Sequence, residues 1–298
     1  MELTLKILLI SDSPNWIFAR HCKEISTRIT KYQFDICHKY IQDPQSFNYD
    51  NYDAIYFLDC YSKGIIYPEK DKVILGLRNQ FMYNKNNLEK FFNKAIKNKC
   101  KIFHVVNKNQ YNDFKNLCVQ NNIKILLVQH GVDIDIFKQD NVDYKELIVG
   151  FSGSAEKKQK GVDIIEQVCN KNNIKFISSG KKLTKEQMPS FYKNINTYVC
   201  MSESEGLNNS ILEAGAMKKC IVSTNCGAAE QIINSNNGFI IERDVKSLEN
   251  ILIYLKNNIN IISILGNEIY KEIFNNWSWN TKIKEYESMF DQFFIKSF

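Results

Sequence analysis

Proline and glycine are sparse in this chain, 4 and 12 among 298 residues. Their scarcity excludes collagen-like repeats and Pro/Gly-rich disordered polymers. At 44% hydrophobic residues the composition is also too apolar for a solvating tail. Long hydrophobic runs are missing as well. No stretch approaches the ~18 apolar residues that span a bilayer. The opening MELTLKILLISDS, interrupted at Lys6 and broken at Ser11, is too short for a signal-peptide core and suits a first buried strand. A soluble or at most peripheral protein is expected, in the cytoplasm or at the inner face of the cell membrane.

The nine cysteines include no C-x-x-C, which removes zinc ribbons and disulfide scaffolds and leaves buried thiols of a reducing compartment. His21, His38, His104 and His130 show no metal-ligand spacing. Neither a Walker loop nor a G-x-G-x-x-G fingerprint is present, so a P-loop ATPase is not expected. Charge of one sign is in small excess, 39 basic against 33 acidic residues. A net +6 favours phosphate groups or an anionic lipid surface, and is too weak to argue for nucleic acid.

What is present is a rhythm. Short apolar, β-rich runs at 5–10, 54–58, 72–77, 101–106 and 124–128 alternate with helix-like stretches at 16–30, 86–99 and 111–120. After the polar segment 135–146 the pattern restarts, with strands at 147–153, 174–180, 197–202, 220–224 and 238–242. Helices are expected there at 160–171, 209–218, 227–234 and 245–257, and a last one at 280–296. Such alternation implies parallel sheets covered by helices. The predicted class is α/β: two Rossmann-like domains, 1–140 and 147–275, joined by the 135–146 linker, with a C-terminal helix in 276–298.

Chemistry concentrates in the second half. Glu205-Gly-Leu-Asn-Asn-Ser-Ile-Leu-Glu213 follows the strand TYVCMS and opens a helix. A helix start carries free amides and partial positive charge, a seat for anionic or hydroxyl-rich ligands. Glu205 and Glu213 either face one crevice, where a carboxylate can bind a vicinal diol, or act as a helix-terminal charge and a solvated helix residue. Spacing alone leaves both readings open.

The surrounding residues carry a resemblance. Glu205, Gly206, Leu207, Asn209, Leu212, Glu213 and Ala214, then Ile221, Val222, Gly227, Glu230, Asn237 and Gly238, follow in order a pattern E-G-(F/L)-x-N-x-x-L-E-A, strand, G-G-x-x-E, N-G. This segment resembles the donor-binding half of retaining family-4 type GT-B glycosyltransferases, the glycosyl transferases group 1. Gln129-His-Gly-Val-Asp133, Gly150-Phe-Ser-Gly153 with Lys160-Gly161, and Trp279 before the last helix are similar to further landmarks of that family. The resemblance is good over 125–298 and only one of layout before that.

It implies the GT-B architecture, with an acceptor-binding first domain, a nucleotide-sugar-binding second domain, an interdomain cleft, and a C-terminal helix crossing back. It implies that Glu213 holds the ribose hydroxyls and that Glu205 contacts the sugar. Backbone amides of Gly206, Leu207, Asn208 and Asn209 would hold sugar or diphosphate beside the Gly153–Ser154 turn. Lys160 would neutralise the diphosphate leaving group. Glu205 and Lys160 are thus the expected catalytic residues, with no cofactor and no metal.

Departures are specific. Ser154 stands where the family often has Arg, leaving Lys157 or Lys158 to substitute. The first turn is Ser11-Asp-Ser-Pro-Asn-Trp16 in place of a Gly-rich one, and a family His near the reacting centre is lacking. Arg78, after the strand VILGL, is either a phosphate or acceptor contact or a surface arginine; Trp16 is either an acceptor platform or a core aromatic. Asp133-Ile-Asp135 spells D-x-D in the wrong context for a metal and reads as a turn or cap. His104 reads as a core histidine and His130 as a hinge-side polar contact. Lys90, Phe91, Phe92, Lys94, Lys97, Lys99 and Lys101 form either a membrane-facing patch or a solvated helix face over the core.

The expected function is transfer of a sugar, with retention, from a nucleotide-sugar to a glycan or lipid-linked acceptor in bacterial surface polysaccharide synthesis. The alternatives are a non-catalytic nucleotide- or carbohydrate-binding module of the same fold, and a GT-B phosphorylase or epimerase.

Overall fold

The computed structural model describes residues 4–14, 16–60, 66–78, 83–141, 143–153, 158–180 and 183–295. The described residues divide into two units, Met1–His130 with Lys282–Phe298, and Gly131–Thr281.

In the first unit, β1 (Lys6–Ser11) lies between β2 (Gln33–His38) and β3 (Ala54–Phe57), followed outward by β4 (Val73–Leu77), β5 (Ile102–Val105) and β6 (Lys124–Leu127). The sheet order is β2-β1-β3-β4-β5-β6 and every pairing is parallel. All residues of β3, β4 and β5 are buried, which is why these strands read as unbroken apolar runs. β2 has no such signature. It is an edge strand with Gln33 exposed and Phe34, Asp35 and Ile36 half-buried, and apolar periodicity passes over it. The helices are α1 (Ile17–Arg28), α2 (Leu88–Ala95) and α3 (Lys108–Gln120). Phe91 and Phe92 of α2 are buried among Tyr83, Phe103 and Phe114, while Lys90, Lys94 and Lys97 are exposed. The aromatic pair therefore belongs to the core and is not a membrane-facing surface.

The last helix, α10 (Trp279–Phe294), belongs to this unit from Lys282 onward. It buries Tyr286, Met289, Phe290 and Phe293. The Phe290 ring meets Tyr32, Phe34 and Tyr56 with centroids 5.8–6.0 Å apart. Truncating so enclosed a ring typically costs about 3–5 kcal/mol.

The second unit repeats the plan with five strands: β7 (Ile148–Phe151), β8 (Lys175–Ser178), β9 (Thr197–Cys200), β10 (Cys220–Thr224) and β11 (Gly238–Ile241). Their order is β11-β10-β9-β7-β8, again parallel. The helices are α4 (Val162–Lys171), α5 (Met188–Lys193), α6 (Asn209–Ala216), α7 (Ala229–Ile232), α8 (Val245–Asn257) and α9 (Asn260–Asn276). Sequence periodicity passes over α9. Its buried Ile262, Leu265, Ile269 and Ile273 nonetheless lie at helical spacing, and Gly266 shares that face, where a Cβ would lie 2.2 Å from the Lys218 carbonyl oxygen.

The described residues of the polar stretch 135–146 lie inside this unit and not between units. Asp133 opens a turn closed by Phe137 N–H on its carbonyl at 2.9 Å, and Phe137 is buried. Gln139 and Tyr144 wrap the ammonium of Lys219. The chain passes from one unit to the other after His130 and returns after Thr281.

Candidate functional site

In an open parallel sheet the strand order reverses at one place, and ligands bind beyond the carboxyl ends of the strands there. In the second unit that place lies between β7 and β9, which pair with each other while their connections run to opposite sides. The loops leaving these two strands carry the residues singled out from the sequence.

β9 leads into Met201–Leu207 and then α6. Asn208 caps the helix: its side-chain oxygen accepts from Ser210 N–H at 3.1 Å and Ile211 N–H at 3.3 Å, and its amide donates to the Cys200 thiol at 3.0 Å. The side chain of Asn208 thus serves the turn, and Leu207 is buried in the protein, so a ligand contact from either falls to the backbone. Gly206 is buried and Asn209 half-buried at the first turn of α6. The turn is braced from outside by Gly227, whose φ is +61° and whose Cβ, were there one, would lie 2.4 Å from the Gly206 carbonyl oxygen. Only glycine fits both demands.

Lys160 ends a short 3₁₀ turn, Lys158–Lys160, before α4. Gly161 caps α4 with φ +65°, and a Cβ there would meet the Met201 carbonyl oxygen at 2.6 Å, so the Lys160 turn is pressed against the end of β9. Lys160 Nζ pairs with Glu205 Oε1, and Ser202 Oγ donates to the same oxygen at 2.8 Å. Both partners are about four-fifths buried, with side chains 19% and 17% exposed. Arg243, to which sequence reasoning assigned nothing, ties the two loops together. Its Nε donates to Met201 O at 2.8 Å, its Nη2 to Lys158 O at 3.0 Å, and its Nη1 pairs with Glu203 at 3.3 Å.

Glu213 is half-buried on the second turn of α6 and accepts a hydrogen bond from the buried Tyr192 hydroxyl at 2.9 Å. It is therefore held by the protein and is not a solvated helix residue. Burial, then the Glu213 charge, push the Tyr192 phenol well above its ordinary range, so it stays protonated and donating. Ser152, directly after β7, reaches Tyr192 at 3.3 Å, Tyr198 at 3.3 Å and Ser210 at 2.8 Å. Gly153 follows with φ +126°, and its N–H points to Ser179 Oγ at 3.4 Å. Ser154 and Lys157 lie outside the described residues; Lys158 is exposed. One loop system thus assembles a helix N-terminus, an ammonium group and two half-buried carboxylates. That set suits an anionic group joined to a diol-bearing moiety.

The other candidates take different places. Arg78 is buried inside the first unit and is not a surface arginine. Its Nε donates to Leu58 O at 3.1 Å, its Nη2 to the Tyr56 and Tyr286 hydroxyls at 2.7 and 3.0 Å, and its Nη1 to His21 Nδ1 at 2.7 Å. These bonds link α1, β3 and α10 through one guanidinium, in place of an open phosphate contact. Trp16 is no core aromatic: it caps α1, 57% exposed, with its edge on Tyr40 at 5.9 Å. His104 is buried with Nε2 on the Tyr56 hydroxyl at 2.6 Å; burial, then the nearby Arg78 charge, hold it neutral. His130 is buried against the His21 ring, centroids 4.3 Å apart. Asp133 accepts from Asp135 and Ile136 N–H at 3.1 and 3.3 Å and pairs with Lys185 at 2.9 Å. Burial raises its carboxyl, yet the lysine and the two amides outweigh burial and keep it below the ordinary range. That is the work of a cap, as the D-x-D context suggested. None of the described helices is long and apolar enough to cross a membrane.

Residues 119–258 match the family model described as glycosyl transferases group 1. The capsular polysaccharide biosynthesis glycosyltransferase CapM of Staphylococcus aureus is 32% identical over 110 residues, 36% of this chain and 29% of that protein. An uncharacterized glycosyltransferase of Methanocaldococcus jannaschii is 28% identical over 216 residues, 70% of this chain and 58% of that protein. The chain spans less than two thirds of the length of either relative. Among solved structures, HepE of Anabaena in complex with UDP and glucose is similar with a TM-score of 0.71 at 12% identity, over 97% of this chain and 100% of that one. At that identity the likeness concerns the fold, two Rossmann-like parallel-sheet domains of the GT-B class.

Proposed function

Because the chain carries a glycosyl transferases group 1 domain on a GT-B fold, we propose that it is a retaining, metal-independent glycosyltransferase. It takes a hexose from a nucleotide-sugar and passes it to a glycan or lipid-linked acceptor. The observation that carries this reading is the pairing of Lys160 with Glu205 beside the α6 N-terminus, with Glu213 fixed one helix turn further on.

Each part has a task in that reaction. Glu213 accepts hydrogen bonds from the two ribose hydroxyls. The α6 amides and the Lys160 ammonium take the charge that accumulates on the diphosphate as the anomeric C–O bond breaks. Lys158 supplements Lys160 where the family has an arginine. Glu205 turns from Lys160 to the sugar hydroxyls once the diphosphate has taken its place. The acceptor oxygen bonds to the anomeric carbon on the face the diphosphate leaves, and its proton passes to the departing diphosphate oxygen. No second carboxylate is needed across the sugar, as a double displacement would require. A helix dipole and an ammonium neutralise the leaving group without a divalent cation. Surface polysaccharide assembly is the setting we propose, since the Staphylococcus aureus relative is named for capsule biosynthesis.

The test is nucleotide release from UDP-, GDP-, ADP- and CMP-linked sugars without added metal. Slow hydrolysis of one donor, abolished in Glu213→Ala, is the expected result. Absence of nucleotide binding across the panel sinks the reading.

A further inference from the structure

We propose that Arg243 is a positioning residue for the diphosphate end of the donor site: its guanidinium sets the spacing between the two loops that present Lys160 and Glu205. The inference rests on the proposed role of Lys160 at the leaving group and adds what holds that lysine in place.

The turn Lys158–Lys160 has no buried residue, so apolar packing of its side chains does not fix it. Polar contacts hold it instead. Glu203 N–H donates to Gln159 O at 2.9 Å, a backbone bond between this turn and the loop after β9. The close approach of Gly161 to Met201 keeps the two loops from moving together but not from parting. Arg243 resists the parting. Its Nε donates to Met201 O at 2.8 Å and its Nη2 to Lys158 O at 3.0 Å, so one planar group spans a carbonyl of each loop. A guanidinium carries its donors in a fixed fork, and the distance between those carbonyls follows from it. Lys158 O takes this donor beside Gly161 N–H at 3.0 Å, within the capacity of its two lone pairs. The ion pair of Nη1 with Glu203, a side chain 59% exposed, adds little.

The clamp has a firm base. Arg243 lies between β11 and Asp244, whose carboxylate caps α8 by accepting from Ser247 N–H at 2.8 Å. Leu248, Leu252 and Leu255 of α8 share one core with Val162, Ile165 and Val168 of α4, the helix that follows Lys160. Arg243 touches no ligand in this scheme. It acts by keeping the Lys160 ammonium where charge develops.

The test uses whichever donor the protein hydrolyses. Turnover is counted per site titrated calorimetrically with the matching nucleoside diphosphate, so that unfolded molecules do not enter. Arg243→Ala is expected to lower kcat roughly ten- to hundredfold, as displacement by up to about 1 Å does, with KM for the donor unchanged. Arg243→Lys, which keeps a cation but lacks the fork, should recover part of the loss. In the Lys160→Ala background, compared in single turnovers with enzyme in excess, Arg243→Ala should cost nothing further. Where hydrolysis falls below detection, the same comparison is made on the affinity that the diphosphate adds over the bare nucleoside.

Full activity in Arg243→Ala beside a slow Lys160→Ala overturns the positioning role and leaves Lys160 in the chemistry. An equal further loss in the Lys160→Ala background overturns it too, because Arg243 would then act on something other than Lys160. If Lys160→Ala itself behaves normally, the reading of Lys160 fails and this inference with it.

Discussion

The two sheets share a plan and use their cations oppositely. In the first, Arg78 leaves the end of β4, goes into the interior, and is surrounded by a carbonyl, two phenols and an imidazole. In the second, Lys160 stands where the strand order reverses and pairs with the Glu205 carboxylate, both side chains about four-fifths buried. A guanidinium cannot shed its proton, so once buried it demands fixed acceptors and becomes a structural joint. An ammonium paired with a carboxylate can exchange that partner for an incoming anion, the task proposed for Lys160. The parallel sheet supplies the same kind of place twice, and the side chain set there separates a structural joint in the first unit from the ligand site proposed in the second.

Substituting Arg78 is the most forceful way to break this comparison. Arg78→Ala leaves four polar groups of the first unit without their donor, and about 3–5 kcal/mol of stability should be lost. Urea unfolding of the two proteins measures it. A loss under 1 kcal/mol would show that the guanidinium is dispensable and the contrast unfounded.

Lys160→Ala should behave in reverse. Stability should fall less, by about 1–3 kcal/mol, because the largely buried Glu205 loses its ammonium but keeps the Ser202 donor. Turnover of the donor should fall by about 10²–10³, as when one stabilising donor is taken from a developing anion. Comparing steady-state rates with melting temperatures separates the two effects, and a mutant that turns over normally removes Lys160 from the chemistry.

Lys219 sharpens the contrast from inside the second unit. It is fully buried, like Arg78, and its Nζ donates to Gln139 at 2.7 Å and Tyr144 at 3.3 Å. Burial, and secondarily the charge of Lys193, bring its ammonium down to about 7. The folded form then holds fewer protons than the unfolded form above that pH, where a free lysine still titrates near 10.4. Stability should therefore rise as pH increases from about 7, by at most about 1.4 kcal/mol per pH unit. Buried thiols such as Cys100 and Cys118, pushed upward by burial, begin to oppose it near pH 8.5, where unfolded thiols ionise. Between these limits the slope should vanish in Lys219→Met; a slope that survives would assign the lysine no part in it.

The smallest effect belongs to Glu205. If its carboxylate holds the place of the diphosphate, Glu205→Gln frees Lys160 and removes a repulsion. Nucleoside diphosphate should bind tighter by about 0.5–1 kcal/mol, while transfer slows because the sugar contact is weakened. Weaker nucleotide binding in that variant would mean that Glu205 serves the diphosphate directly.

Much of this was legible before any coordinates. Strands buried on both faces must be apolar throughout, so β3, β4, β9 and β10 announced themselves. The Gly206 turn and the helix start behind it were legible because tight turns are local affairs settled within a few residues, whereas the capping side chain of Asn208 emerged with the structure. Where burial is partial the signal faded, as in the edge strand β2. Tyr192 and Arg243 carry no local mark at all. Each acts across a long span of sequence, on Glu213 and on the loops at Lys158 and Met201.

The α/β class, the restart of the pattern in the second half, and the motif that gathers Glu205 and Glu213 follow from periodicity and short-range order in the chain. Long-range packing places Arg78 in the interior and Trp16 outside, brings Lys160 to Glu205, and sets a buried phenol against Glu213. Those outcomes depend on which distant groups a side chain finds when the sheet closes over it. A buried charge or hydroxyl must be met by a partner wherever the fold can supply one.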